Sequence, residues 1–339
     1  MDSKKVILLS NIQYLKKYEF KPVDKICKIL IERDLKDYLM KWNMDKSFRI
    51  FTYNFQDTYD TANKDQLFKD LFHSEVILKD LGYQSWINSK DEKIRIEIED
   101  VPCTILSTEF FDRIYENEIV LHDGTIRKCF EEYMDDIVIA DDLRNMLLVE
   151  ESDNYPLYTE KERAEFLFLI FKHFCLGGSL NQYEDNINPY ILMAKTLYKD
   201  VICVRKTGSP KKTTIMSQVS KVEVLNNDIP IYPSHKHHEQ NFSYVILSPT
   251  LKEVTILHHT WKPTGGGTTS TWMRSCKISK QILASLVGIV MVRSCYLHSD
   301  DRTHLPWEEL DSGRCRLLRC HPQFPSTVAM TIIQLNLDA

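Results

Sequence analysis

Residues 166–185 read FLFLIFKHFCLGGSLNQYED, and the fold turns on whether this stretch is an active site or a helix ending inside a core. Upstream, Thr159 is followed three residues later by Glu162. This is a capping box, in which each side chain satisfies a backbone N–H exposed at a helix start. The spacing predicts one helix from about 160 to 175. From 166 to 171 it is apolar all round, which suits a helix buried on every side. Gly177 and Gly178 then supply the left-handed conformation that closes a helix in a Schellman-type cap. A nucleophilic Cys175 with His173 as its base fails on geometry, because residues two apart on a helix point about 200° apart. A thiolate is also favoured at a helix N-terminus, whereas Cys175 sits at the negative, C-terminal end. The stretch therefore reads as a helix end, with Cys175 a buried structural thiol.

Outward from this helix the periodicity sorts the chain. Residues 23–41 show helical spacing through Ile26, Ile29, Leu30, Leu35 and Leu39, and 65–81 reads as helix. Residues 49–55 and 93–98 alternate as strands do. After Cys103 the pattern is mainly helical over 107–115, 126–133 and 141–150, and again over 187–198. From Val201 the period changes to two. VICVRK, TTIMSQVSKVEVL, FSYVILS and EVTILHH read as four strands, joined by turns at TGSPKK, NNDIP and SPTLK. The fold class is α+β, with mixed N-terminal strands and helices, a buried central helix and a late antiparallel sheet.

The chain has 339 residues, 43% of them hydrophobic, which is enough for a substantial core. A formal net charge of −5 provides no overall basic field for a phosphate backbone, so nucleic acid is not an expected partner. The apolar run at 6–9 is too short for a signal-peptide core, and the run at 282–292 is interrupted by Ser285 and Gly288. The sequence thus predicts a soluble intracellular protein with no membrane partner. Nine cysteines form no regular framework and read as free thiols. Composition shifts near residue 260: residues 1–260 hold 26 Lys and 8 Arg, and 261–339 hold 3 Lys and 6 Arg, beginning with the linker-like WKPTGGGTTSTW. The expected organisation is one α+β body over 1–260 and a partly disordered or atypical tail over 261–339.

Other candidate sites are local. In SHKHHEQNFSY (234–244) an extended backbone would place His235, His237 and Glu239 on one face, a workable three-ligand zinc arrangement. The alternative function is accordingly a zinc-dependent enzyme or zinc-stabilised domain. Cys276, Cys295, Cys315, Cys320 and His321 fit no standard finger spacing. RKTGSPKK (205–212) reads as a solvated hairpin turn that carries a phosphorylatable Ser209–Pro210 pair. The acidic pairs Asp135–Asp136 and Asp141–Asp142 read as carboxylates beside helix starts. Nucleotide-binding and hydrolase signatures are absent from the sequence. No residue is assigned as catalytic, cofactor-binding or metal-binding.

VPCTILSTEFFDRIY (101–115), ADDLRNMLLVEES (140–152), EFLFLIFKHFCLGGSLNQYEDNINPY (165–190), YKDVICVRK (198–206) and HEQNFSYVILSP (238–249) closely resemble the cilia- and flagella-associated protein 300 family. The matching blocks run in order across about 48–260. The resemblance implies a non-enzymatic, cofactor-free adaptor of cytoplasm and axonemal cytoskeleton that supports assembly of outer and inner dynein arms and hence ciliary motility. It also implies a PIH-domain assembly factor of the kintoun type as partner, with axonemal dynein components as further partners. The family blocks include His238 and Glu239 but not His235 and His237, which weakens the metal reading. The tail has no counterpart in the resemblance.

Overall fold

The alternating segments 49–55, 93–98, FSYVILS and EVTILHH meet in one antiparallel sheet with the second half of TTIMSQVSKVEVL, whereas VICVRK and the TTI that opens that stretch pair with each other as a separate hairpin. The computed structural model describes residues 4–9, 15–84, 86, 93–134, 136–207 and 212–262. The chain divides into two units, Met1–Gly266 and Gly267–Ala339. The second unit, with the tail cysteines and His321, lies outside the described residues, as does the Ser209–Pro210 pair.

Two strands, β1 (Lys5–Leu9) and β2 (Phe20–Pro22), lead into the short helices α1 (Lys28–Ile31) and α2 (Arg33–Lys41). Residues 23–27 are not helical, contrary to the spacing, because Val23 donates its N–H to Thr52 and continues the line of β2. After β3 (Arg49–Phe55) come α3 (Lys64–His73) and α4 (Glu75–Asp80), divided at Ser74, whose backbone is extended. The helix expected over 65–81 is therefore two. Next are β4 (Ile94–Val101) and α5 (Asp112–Glu116), the latter entered through a 3₁₀ turn.

The segment 126–133, read as helix, is instead β5 (Lys128–Met134), paired with β6 (Ile137–Asp141). Asp136 accordingly lies in a hairpin turn rather than at a helix start. Asp141 does cap a helix: its carboxylate accepts the Arg144 N–H at the start of α6 (Asp142–Leu148).

The helix expected over 160–175 also breaks, into α7 (Glu160–Arg163) and α8 (Phe166–Leu176). The capping box of Thr159 and Glu162 is present. The break has two tethers: Phe166 donates its N–H to Pro102, and the Glu165 carboxylate takes the Thr104 N–H and hydroxyl at 2.9 and 2.5 Å. The remaining elements are α9 (Asn188–Val201), the hairpin β7 (Val204–Thr207) and β8 (Lys212–Ile215), β9 (Gln218–Asn226), β10 (Ile229–Tyr232), β11 (Phe242–Ser248) and β12 (Glu253–His259). β9 and β10 join through Asn227 and Asp228, both at positive φ (47° and 68°), as a two-residue type I′ turn requires.

In the sheet the order is β1–β4–β9–β11–β12–β3–β2, with β10 also on β9, and every pairing is antiparallel. β11 is buried along its whole length, which explains its unbroken run FSYVILS. Its alternation feeds two cores. Phe242, Tyr244 and Ile246 join α6, α8 and α9, whereas Val245 and Leu247 join β4 and the α3–α4 pair. Phe166, Phe168, Ile170, Phe171 and Phe174 of α8 are all buried in the first core, as an all-round apolar helix demands. Among the described residues no helix is long and apolar enough to cross a membrane.

Candidate functional site

Two stretches that the sequence singles out separately, the end of α8 and the histidine-rich loop before β11, turn out to be one place. Lys172 of α8 pairs with Glu239 at 2.8 Å, and His173 Nδ1 lies 2.9 Å from Gln240 Oε1. Lys172, His173 and Glu239, together with the adjoining face of β4 and β9, line a cleft of about 480 Å³. Glu99, Asp100, Lys221, Glu223 and His238 add further titratable side chains to its lining.

The local sequence explains the meeting. A helix leaves its last four carbonyls without intrahelical partners, and at a buried end those oxygens need donors. Gly177 holds φ 62° and ψ −160°, a region open to glycine, and its N–H closes on His173. The positive φ agrees with the glycine reading, but the Schellman pattern does not form, because the Gly178 N–H turns away to Trp42. Side chains complete the cap instead, those of Gln240 and Arg144 from distant segments and that of Asn181 from the turn that follows. Gln240 Nε2 donates to the carbonyls of His173 (2.8 Å) and Gly177 (2.6 Å). Arg144 Nη2 donates to Cys175 O at 2.8 Å, and Asn181 Nδ2 to Leu176 O at 2.8 Å. The Arg144 guanidinium also meets the negative end of the helix dipole, where a cation is favoured.

The same bonds fix the histidine. With both protons of the Gln240 amide given to carbonyls, its Oε1 is an acceptor, so His173 carries its proton on Nδ1. His173 Nε2 then accepts from the Tyr244 hydroxyl at 2.8 Å. The ring stacks on Phe242, with centroids 3.8 Å apart. Burial pushes its pKa well below the ordinary histidine value, against the pull of Gln240, and keeps it neutral. Neither nitrogen is left for a substrate proton.

Cys175 faces the other side. It is fully buried, and burial drives its thiol pKa well up despite the nearby Arg144. It makes no pair with His173. Arg144 is itself wholly buried, with Nη1 on Asp141 at 2.5 Å and its Cζ 3.4 Å from the Tyr183 ring centroid. A second bond runs from Nη2 to the Tyr190 hydroxyl. The five described cysteines, Cys27, Cys103, Cys129, Cys175 and Cys203, are free thiols.

The proposed zinc face is not assembled. Residues 234–240 bend and turn instead of running as a strand, so the alternation that would align His235, His237 and Glu239 is lost. His235 and His237 are exposed, and Glu239 is engaged by Lys172. Partial burial raises the Glu239 pKa, but Lys172, Lys221 and His238 outweigh it and hold the carboxyl below its usual range. Among the described residues no group of three or more histidine, cysteine or carboxylate side chains is placed to hold a metal. The residue that organises the region, Gln240, gave no signal in the sequence, since a glutamine in a polar loop has no periodicity to reveal it.

The arrangement thus locks helix α8 to the β11–β12 pair: Gln240 O accepts His259 Nδ1 at 2.6 Å, and Gln240 N donates to His238 Nδ1. A family model described as cilia- and flagella-associated protein 300 matches residues 17–259, from just before β2 to the last residue of β12. The protein of that name from Paramecium tetraurelia is 34% identical over 235 residues, covering 69% of this chain and 90% of its own length. Its namesake from Chlamydomonas reinhardtii is 30% identical over 240 residues, covering 68% and 92% respectively. No solved structure matches the chain. The match takes in the whole helix-end lock and every strand of the sheet except β1, and the chain belongs to the cilia- and flagella-associated protein 300 family.

Proposed function

We propose that the protein is a non-catalytic adaptor that supports assembly of outer and inner dynein arms, working in the cytoplasm and at the ciliary axoneme. The observation that carries this reading is family membership over nearly the entire length of two relatives named for cilia and flagella. The geometry is in keeping with it. The polar groups that a sequence reader would nominate for chemistry are occupied in holding a helix end to a sheet, and an adaptor acts through its surface. The partner in this reading is a PIH-domain assembly factor of the kintoun type, with axonemal dynein components as its clients.

Affinity capture from ciliated cells tests the proposal. The tagged full chain should bring down a PIH-domain co-chaperone and dynein heavy chains above the level of an unrelated tagged protein. Capture that contains neither would overturn it.

A further inference from the structure

Away from the helix-end lock, residues 105–108, one face of α9 and strand β7 enclose a groove of about 240 Å³. Its walls are Ile105, Leu106, Leu167, Tyr198, Ile202 and Val204. Leu106 and Val204 are 54% and 49% exposed, so apolar surface stands open to solvent here. Tyr198 adds its ring without a free polar tip, because its hydroxyl donates to Ile105 O at 2.9 Å.

The charged residues that line it are lysines, although Lys199 also borders a neighbouring concavity that holds Glu32, Asp34 and Asp200. Lys195, Tyr198 and Lys199 recur at helical spacing on one face of α9, Ile202 follows its last residue, and all four line the groove. On the hairpin, Thr213 lines it and is the register partner of Lys206, which therefore projects from the same face as Val204. None of Lys195, Lys199 and Lys206 forms an ion pair among the described residues. The nearest carboxylate in sequence, Asp200, accepts the Lys28 N–H at 2.7 Å. Two like charges at i and i+4 weaken a helix slightly, and the fold makes no use of this pair.

We propose that this groove is a docking site for an acidic segment of another protein that inserts a large apolar side chain between Leu106 and Val204. Carboxylates flanking that side chain would meet Lys195, Lys199 and Lys206. The basic rim selects against basic and neutral partners, and the small area fits a short linear segment in preference to a folded domain. The inference does not rest on the proposed role in dynein-arm assembly.

The test selects random short peptides by display on the purified full chain, so its failure leaves that role standing. Winning sequences should place Asp or Glu beside Leu, Phe, Met or Trp. The best peptide, synthesised, should bind at least about tenfold more weakly to Lys195→Glu/Lys199→Glu, and binding should weaken with salt. Leu106→Ser should also weaken it, and both variants change surface side chains, so their melting should match that of the unaltered chain. No enrichment, enrichment of basic or uncharged peptides, or binding indifferent to both variants would each refute the docking site. Self-association that these variants abolish would identify the groove as a contact between two copies and equally refute it.

Discussion

Gly177 combines φ 62° with ψ −160°, and a Cβ built there would run into the Asn181 side chain that caps Leu176. Gly177→Val should therefore destabilise the fold by about 1–3 kcal/mol through backbone strain, before counting the displaced cap. Chemical denaturation checks this, and a normal unfolding midpoint with lost partner capture would instead make the glycine part of a binding surface. His259 makes a second residue-scale prediction. Burial, with His238 nearby, lowers its pKa to about 4 in spite of the bond to Gln240 O, and its Nε2 has no hydrogen-bond partner among the described residues. Between pH 6.5 and about 4 the unfolded chain takes up a proton that the folded chain refuses. The stability contributed by the neutral ring is thus complete above about pH 6.5 and is lost as pH falls towards 4, by roughly 3 kcal/mol at 1.36 kcal/mol per unit. Urea unfolding from pH 7 to 5 should show this decline, and His259→Phe should flatten it by about one proton; an unchanged slope in the variant would contradict the assignment.

At the scale of elements, the C-terminus of α8 is held by a side chain from the loop before β11. Gln240→Glu keeps the shape but replaces two donated protons with a carboxylate facing the His173 and Gly177 carbonyls. It should cost about 2 kcal/mol or more, since two buried carbonyls lose donors and a negative charge meets the negative helix end. A variant as stable as the parent would show that the cap is dispensable. This element also shows what sequence can and cannot disclose. The all-round apolar run, the capping box and the helix-ending glycine were readable because each is a local signal, and the strands β3, β11 and β12 match the alternating segments 49–55, FSYVILS and EVTILHH residue for residue. The division at Glu165 was hidden, because its causes are Thr104 and Pro102, some sixty residues away. β5 was misread as helix for a related reason. Its KCFEEYM is largely exposed and carries no alternation, and a register shift between Lys128 and Glu132 spoils what pattern pairing would impose. The zinc face is the converse case: His-x-His-x-Glu has a strand-like spacing, but the backbone there bends and turns.

Over the whole molecule, β12 is the last strand of the sheet in chain order, and among the described residues the contacts furthest along the chain beyond it are the Trp261 N–H on Asn241 Oδ1 and the stack of Trp261 on His238. A chain ended after Lys262 retains both. It should stay soluble and melt in one cooperative transition, whereas aggregation or a broadened transition would make the remaining residues part of the fold. The family match likewise ends at residue 259, so the truncated chain should still capture the same partners. The proposed role in dynein-arm assembly bears on axonemal ultrastructure, and electron microscopy of axonemes from motile-ciliated cells that lack the protein, with and without the full chain restored, is its sharpest test. Such axonemes should keep intact microtubule doublets while outer and inner dynein arms are missing, and the arms should return on restoration. Normal arms in the cells lacking the protein would overturn the proposal.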